Sequence, residues 1–247
     1  MPPDQPAVSA TGLRKSFGSH EVLRGLDLAV PRGAVFALLG ANGAGKTTTV
    51  SILTTLLRPD AGTVRVAGFD VVREGAAVRR VVTVTGQNVS VDGVLTGMEN
   101  LVLIARLRHV PEPKAVAKSL AERFGLADAA AKPVGTYSGG MKRRLDIAMS
   151  LIGDPQVVFL DEPTSGLDPG GRREVWAVIE EMAGLGKTIM LTTQHMEEAA
   201  RLASVVAVLH SGVAVAVGDQ PAILDAAGGA PDLETAFLRL TGQEAAA

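Results

Sequence analysis

The stretch Gly40-Ala41-Asn42-Gly43-Ala44-Gly45-Lys46-Thr47 matches the phosphate-loop pattern G-x-x-x-x-G-K-[ST]. An apolar run (35–39) precedes it and a helix-like run (48–57) follows, which is the strand–loop–helix context that the motif requires. The glycines let backbone N–H groups point at phosphate oxygens, Lys46 would reach the β- and γ-phosphates, and the Thr47 hydroxyl would bind Mg²⁺. The motif therefore predicts binding of a nucleoside triphosphate. The residues expected to contact it here are Gly40, Ala41, Asn42, Gly43, Ala44, Gly45, Lys46, Thr47 and Thr48.

The composition limits the classes of protein to which this 247-residue chain can belong. Hydrophobic residues make up 47% of it and aromatic residues only 3%, which favours a parallel sheet of Val, Leu and Ala buried under helices. The net charge of −2 and the lack of a basic tract argue against nucleic acid as a main partner. Cysteine is absent, which excludes disulfides and thiolate chemistry and is compatible with a reducing cytosol.

The chain also lacks the usual sequence signals of membrane insertion. Its N-terminus has neither the basic nor the apolar region of a signal peptide, and no run reaches the ~18 apolar residues of a spanning helix. The nearest candidate, 205–217, is interrupted by His210-Ser211-Gly212 and predicts a β-hairpin. We therefore expect any membrane association to depend on a partner or a surface.

Strand and helix patterns divide the chain into blocks. Short strand patterns flank the phosphate loop and return after residue 152, whereas 96–152 has helical periodicity, with Leu101, Ile104 and Leu107 expected on one face. We predict a single α/β domain. Its parts are a catalytic core with an N-terminal β lobe (8–87 and 153–217), a helical lobe (88–152) and a short helical tail (218–247).

Two carboxylates, Asp161 and Glu162, directly follow the apolar run 157–160. In an open parallel sheet, ligands collect at the carboxyl ends of the strands. Asp161 is therefore a candidate Mg²⁺ ligand, and Glu162 a candidate base for the water that attacks the γ-phosphate. The ordinary alternative is a strand-end turn, which the neighbouring phosphate loop makes less favourable.

A second anion site is indicated by Tyr137-Ser138-Gly139-Gly140-Met141. A hydroxyl, exposed N–H donors and a helix N-terminus converge there, and we expect Tyr137, Ser138, Gly139 and Gly140 to contact a nucleotide. One nucleotide does not need two phosphate cradles from one chain. The simplest explanation is that this stretch serves the nucleotide bound by another copy.

Together these motifs resemble those of ATP-binding cassette (ABC) ATPase domains in order and spacing. The resemblance extends from Val8 to about Val217 and includes Gln87, Ser165-Gly166-Leu167-Asp168 and His195. The stretches 137–146, 194–199 and 233–242 resemble the ABC-2 branch, especially the daunorubicin/doxorubicin-resistance type.

The resemblance implies a fold and an assembly. The fold is a P-loop NTPase (RecA-like) parallel-sheet core with an N-terminal antiparallel β subdomain and an inserted helical subdomain. Two copies, or one copy and a paralogue, would pack head to tail, with ATP between one phosphate loop and the partner's Ser138-Gly139-Gly140. A separate transmembrane permease would hold the dimer at the inner face of the cell membrane, and no nucleic acid is expected.

The resemblance also implies individual roles. Phe17 would stack on adenine, with Val22 beside the ring; Gln87 would contact Mg²⁺ and the attacking water; Asp168 would contact the partner's phosphate loop; and His195 would bind the γ-phosphate. The catalytic set is thus Glu162, His195, Gln87 and Lys46, and the Mg²⁺ set is Thr47, Gln87 and Asp161. Each role has an ordinary alternative: core aromatic for Phe17, strand end for Gln87, helix cap for Asp168 and turn residue for His195.

The remaining polar residues are expected to be unexceptional. His20, His109 and His210 fall in turns or at helix ends, and Lys142-Arg143-Arg144 is typical of a solvated helix face. The function predicted is the ATPase subunit of an ABC-2 type exporter, whose permease would dock near Gln87 and 89–101. An importer ATPase shares the nucleotide chemistry and stays open, as does a soluble cassette ATPase acting on DNA or the ribosome.

Overall fold

The computed structural model describes residues 5–86 and 89–243. The strands are β1 (Val8–Phe17), β2 (His20–Val30), β3 (Val35–Leu39), β4 (Ala61–Val66), β5 (Phe69–Asp70), β6 (Val82–Thr85), β7 (Val157–Asp161), β8 (Thr188–Thr193), β9 (Val205–His210) and β10 (Val213–Gly218). The α-helices are α1 (Lys46–Leu53), α2 (Gly75–Val81), α3 (Gly97–Leu107), α4 (Pro113–Arg123), α5 (Gly139–Ser150), α6 (Pro169–Gly184), α7 (Met196–Leu202), α8 (Gln220–Ala226) and α9 (Leu233–Leu240). Within the two ranges, no helix has the length and apolar character needed to cross a membrane.

A six-stranded sheet forms the centre, in the order β10-β9-β3-β8-β7-β6. All its pairs are parallel except the edge hairpin β9–β10, which the sequence predicted. β3, β7 and β8 are buried along their whole length, as expected for apolar strands covered on both faces. Their carboxyl ends lie side by side, so the loops after Leu39, Asp161 and Thr193 share one edge.

Alternate residues of β3 enter two different cores. Phe36 and Leu38 pack with β1, β2 and α1, under the antiparallel sheet β2-β1-β4-β5. Val35, Ala37 and Leu39 pack on the other face with side chains of α3 to α7. The predicted architecture, a parallel core with an antiparallel β subdomain and an inserted helical block, is therefore observed.

The helical block runs from α3 to α5 and includes two short 3₁₀ turns, Ala127–Ala129 and Val134–Thr136. α3 begins at a capping box, because Thr96 accepts a hydrogen bond from the Glu99 N–H and the Glu99 carboxylate accepts one from the Thr96 N–H. The expected apolar face is only partly correct: Leu101 is buried, but Leu107 is 66% exposed. α3 leaves the core only at its end, because Ala105 is still fully buried two residues before Leu107, and a periodic pattern does not report where a helix leaves the core.

The C-terminal segment is not a peripheral appendage. Leu233, Ala236 and Phe237 of α9 are buried, as is Ile223 of α8, and all four belong to the core cluster on the α3–α7 side of the sheet. Asp232 and Asp219 cap these two helices by accepting hydrogen bonds from Thr235 N–H and Ala222 N–H. Tertiary burial therefore holds two helices that are individually too short to be stable in water.

Candidate nucleotide site

A cleft of about 440 Å³ opens at the carboxyl edge of the parallel sheet. The described residues that line it are His20, Val22, Asn42, Gly43, Gly45, Lys46, Thr47, Thr48 and Glu162. Most of them belong to the predicted phosphate loop and its helix. Val22 was predicted to lie beside the base, whereas His20, expected to be an ordinary turn residue, was not predicted to take part.

The phosphate loop owes its shape to its glycines. Gly45 precedes α1 with a φ of 109°, and Gly43 has a φ of 81°, both in the region that favours glycine. A Cβ on Gly45 would also lie 2.7 Å from Leu23 Cδ2, so a larger residue would have to displace that buried side chain. α1 begins directly after Gly45, at Lys46, and ends at Leu53, so both of its ends are earlier than in the predicted run 48–57.

Lys46 is buried and folded back over the loop. Its Nζ donates hydrogen bonds to the carbonyl oxygens of Gly40 (2.9 Å) and Ala41 (3.1 Å). The Glu162 carboxylate lies 3.3 Å away on the other side. The ammonium group thus stands between the loop and the end of β7, at the point where phosphates would meet both.

The oxygen atoms expected to hold Mg²⁺ lie together. Thr47 Oγ1 donates to Asp161 Oδ1 at 3.3 Å, which places a hydroxyl that lines the cleft beside a buried carboxylate. Mg²⁺ prefers oxygen ligands and usually combines one or two protein oxygens with water and substrate phosphates. Among the described residues no group of three or more His, Cys, Asp and Glu side chains could hold a metal alone. Thr47 and Asp161 fit an ion that is shared with a phosphate.

Glu162 has an unusual backbone. Its φ is +49°, a left-handed conformation that costs a non-glycine residue on the order of 1–3 kcal/mol and is often found at functional sites. Its N–H donates to the carbonyl oxygen (3.2 Å) and the hydroxyl (3.1 Å) of Thr192. The turn directs the carboxylate toward Lys46 and leaves it only slightly exposed.

Thr192 belongs to this group of polar contacts, although the sequence analysis did not identify it. Besides accepting from Glu162, its Oγ1 donates to Asp161 Oδ1 at 2.5 Å, so it contacts both carboxylate residues. The signal was available: Thr192 is a polar residue near the end of an apolar strand, and a strand that pairs with β7 brings it to the same edge.

His195 lies two residues after the end of β8 and immediately precedes α7. Its N–H donates to Thr193 Oγ1 at 2.9 Å, and the Thr193 carbonyl accepts from Gly40 N–H at 3.1 Å, which ties this turn to the start of the phosphate loop. The side chain is half-buried and does not line the cleft. Gln87, the remaining predicted catalytic residue, lies outside the described residues.

The second predicted anion site lies at the start of α5. Ser138 caps this helix, its side chain accepting from Met141 N–H at 3.2 Å. Gly139 and Gly140 pack closely against the turn before α6 and α6 itself: a Cβ on Gly140 would lie 3.2 Å from Gly171 Cα. The described lining of the cleft includes none of these three residues.

Tyr137 and Asp168 have structural contacts of their own. The Tyr137 side chain is buried in the helical block and its hydroxyl donates to the Ala129 carbonyl at 2.7 Å, so it faces away from any ligand at the helix end. Burial raises the pKa of that hydroxyl. Asp168 caps α6 by accepting from Gly171 N–H at 3.2 Å, the cap that the sequence analysis named as its alternative.

Phe17 does not line the cleft. Its side chain is 50% exposed at the end of β1, with the Lys15 ammonium 5.6 Å from the ring centroid. An exposed ring is available for stacking, so its predicted role stays a prediction.

The interpretation of Lys142-Arg143-Arg144 as a solvated helix face is wrong for its central residue. Arg143 is 3% exposed and bonds to Asp146, which is also buried. Burial lowers the pKa of the Arg143 guanidinium, while Asp146 and Glu198 oppose that shift. Burial also raises the pKa of Asp146, opposed by Arg143.

Comparison with known proteins identifies the family. A family model described as "ABC transporter" matches residues 23–165. The chain belongs to the ABC transporter family. The resemblance found from the motifs is thereby confirmed, and as a member of this family the chain is an ATP-binding, ATP-hydrolysing subunit coupled to transport.

Relatives and solved structures agree with this assignment. The chain is 49% identical over 243 residues to the daunorubicin resistance ATP-binding protein DrrA3 of Streptomyces coeruleorubidus, covering 98% of this chain and 76% of that one. It is 42% identical over 215 residues to the Nod factor export ATP-binding protein I of Ralstonia nicotianae, covering 86% and 67%. A solved ATP-binding subunit of an ABC transporter superposes with a TM-score of 0.84 at 26% identity, covering 95% and 99%. The chain spans between 65% and 76% of the length of the first two drug-resistance relatives.

Proposed function

We propose that the chain is the energy-coupling ATPase of an exporter of the ABC-2 type and works as a head-to-tail dimer. Each ATP would lie between the cleft of one copy and the Ser138-Gly139-Gly140 helix end of the other, which is a second copy or a paralogue. One observation carries the dimer: residues of the phosphate loop, Thr47 (bonded to Asp161) and Glu162 line the cleft, while Ser138 does not.

The contacts of Lys46 and Glu162 support hydrolysis in this cleft. Phosphate oxygens would replace the Gly40 and Ala41 carbonyls as acceptors for Lys46. Glu162 would accept a proton from a water whose oxygen attacks the γ-phosphorus, and the bond from that phosphorus to the β–γ bridging oxygen would break. A bound Mg²⁺ would neutralise negative charge on the phosphates.

The roles that the resemblance implies complete this proposal. His195 lies in the turn bonded to the start of the phosphate loop, which suits contact with the γ-phosphate. Asp168 caps α6 with one carboxylate oxygen, and its other oxygen would contact the partner's phosphate loop. Gln87 would contact Mg²⁺ and the attacking water, and Phe17 and Val22 would hold the base.

The exporter assignment rests on the relatives. Proteins named for daunorubicin resistance and Nod factor export are similar over most of this chain, which favours export over import and over action on DNA or the ribosome. A permease would hold the dimer at the inner face of the cell membrane. We place its docking site beside 89–101, where Val94 is 87% exposed and Val91 and Leu95 are half-buried.

The direct test is Glu162→Gln. Because this change removes a base and keeps the shape and the phosphate contacts, turnover should fall by ~10²–10⁴ while ATP binding persists. An ATP-loaded dimer should then accumulate and be visible by light scattering coupled to size-exclusion chromatography. Persistent monomer at saturating ATP would contradict the dimer.

The permease assignment is tested separately. Crosslinks from Cys placed at Val94 should form with a co-expressed permease, while crosslinks from Cys at Val72, an exposed apolar residue of the β lobe, should not. Crosslinks that form only at other surfaces would refute the proposed docking site.

A further inference from the structure

The buried guanidinium of Arg143 bonds to three backbone carbonyls and one carboxylate. Its Nε donates to the Pro163 carbonyl (2.8 Å), Nη1 to the Gly86 carbonyl (2.8 Å) and to Asp146 Oδ2 (3.2 Å), and Nη2 to the Asp161 carbonyl (3.3 Å). Arginine has five N–H donors, so four of them are used in fixed directions. Lysine, with a single point charge, could not make these contacts together.

The three carbonyls belong to segments that matter for catalysis. Those of Asp161 and Pro163 lie on either side of Glu162, the residue with the left-handed backbone. The Gly86 carbonyl immediately precedes Gln87, which is predicted to be catalytic. Arg143 itself belongs to α5, the helix that Ser138 caps.

Strained backbone persists only where the surroundings fix it. Thr192 holds the Glu162 N–H, and Arg143 fixes the peptide carbonyls before and after it. Without the second set of contacts the turn could relax to the extended conformation that a residue before proline prefers, which would swing the carboxylate away from Lys46.

We propose that Arg143 is a positioning residue that holds Glu162 in its catalytic orientation and connects it to α5, the helix that begins within the second predicted anion site, 137–141. The inference rests on the proposed function only for the role of Glu162 as base. A displacement of α5 by nucleotide at Ser138 would reach Glu162 through one side chain.

A buried carboxylate extends the polar cluster toward the turn after Glu162. Glu198, on α7 just after His195, accepts hydrogen bonds from Thr164 Oγ1 (2.8 Å) and Trp176 Nε1 (3.1 Å). Its charge helps to balance that of Arg143. The elements carrying Ser138, Asp161 and His195 thus share one buried polar cluster.

The test is Arg143→Met, with Arg144→Met as the matched control. Arg144 is the next residue of the same helix and also bonds two carbonyls, those of Phe124 and Gly125, and one carboxylate, that of Glu174, none of which lines the cleft. We expect Arg143→Met to lower kcat by about tenfold or more with the Kd for ATP within about twofold, and Arg144→Met to leave kcat within about twofold.

A second measurement separates positioning from general loss of structure. In a Glu162→Gln background Arg143→Met should change the residual turnover by less than about twofold, because the group that it positions is already gone. Multiplicative losses in this double-mutant cycle, or an unchanged kcat in folded Arg143→Met, would overturn the proposal.

A folding defect is controlled by a paired substitution. Arg143→Met leaves Asp146 buried without its cation, so Arg143→Met/Asp146→Asn is measured in the same cycle. Recovery of Tm with kcat still low supports positioning, and recovery of both overturns it. If the unmodified chain hydrolysed no ATP, that result would contradict the proposed function and would not contradict the positioning role of Arg143.

Discussion

The two ends of the proposed nucleotide site differ in what surrounds them. At the phosphate loop, Lys46, Thr47, Asp161, Glu162 and Thr192 contact one another within one chain, so each polar group has a partner before any ligand arrives. Among the described residues, the Ser138 hydroxyl at the start of α5 accepts a hydrogen bond only from a backbone N–H of its own helix. One region is a preorganised pocket, and the other is half of an interface in the dimer that we propose.

Because of this difference, substitutions in the two regions should impair different steps. A change in the phosphate loop should weaken nucleotide binding by a single chain. A change at Ser138 should leave that binding intact and prevent closure of the dimer.

The largest expected effect is that of Lys46→Ala on affinity. The ammonium group would lose two or three charge-assisted contacts with phosphate oxygens, which predicts a Kd for ATP higher by ~10² or more. Isothermal titration measures it. Lys132→Ala, on an exposed turn of the helical block, should bind ATP normally. Unchanged binding by Lys46→Ala would mean that the loop is misassigned.

Ser138→Asp tests the other region with the fold preserved. Aspartate caps helices as well as serine does, so Tm should not change, but its charge would meet the partner's γ-phosphate. We expect monomeric Ser138→Asp to bind ATP with the same Kd as the unmodified monomer. ATP should not drive it to dimerise, and its turnover should be lower by about tenfold or more. Ser138→Asn, a neutral cap, is the control. Dimerisation by both variants would refute the role of this helix end.

The smallest expected effect concerns Thr192. Thr192→Val keeps the shape but removes the hydroxyl between Asp161 and Glu162, which predicts a kcat lower by about fivefold. Thr188→Val is the same change on the same strand, where the hydroxyl accepts from Gly33 N–H instead. It should lower Tm and not kcat. Equal kcat losses in the two variants would show that Thr192 acts through stability alone.

The parts of the site that could be predicted from the sequence are those whose residues are close together along the chain. The strand before Gly40, the glycines and the pair Asp161-Glu162 lie within short motifs, and the sheet brings their ends together. The parallel core, the β9–β10 hairpin and the helical block followed from hydrophobic periodicity for the same reason.

The residues that were missed depend on contacts between distant segments. Arg143 stands between two basic residues in the sequence, which is typical of a solvated helix face. It is buried because α5 packs against the turn after β7. Thr192 meets Asp161 and Glu162 because β8 pairs with β7, and His20 lines the cleft from the start of β2. Tertiary placement decides their roles, and no local pattern contains it.

The most direct test of the head-to-tail dimer mixes two inactive chains. Lys46→Ala lacks a working phosphate loop and Ser138→Asp lacks a working helix end, so a mixed dimer would contain one intact site and one doubly defective site. We predict that a 1:1 mixture regains ATP hydrolysis, up to about a quarter of the unmodified rate if half of the dimers are mixed. A mixture no more active than its two components would contradict a nucleotide shared between copies.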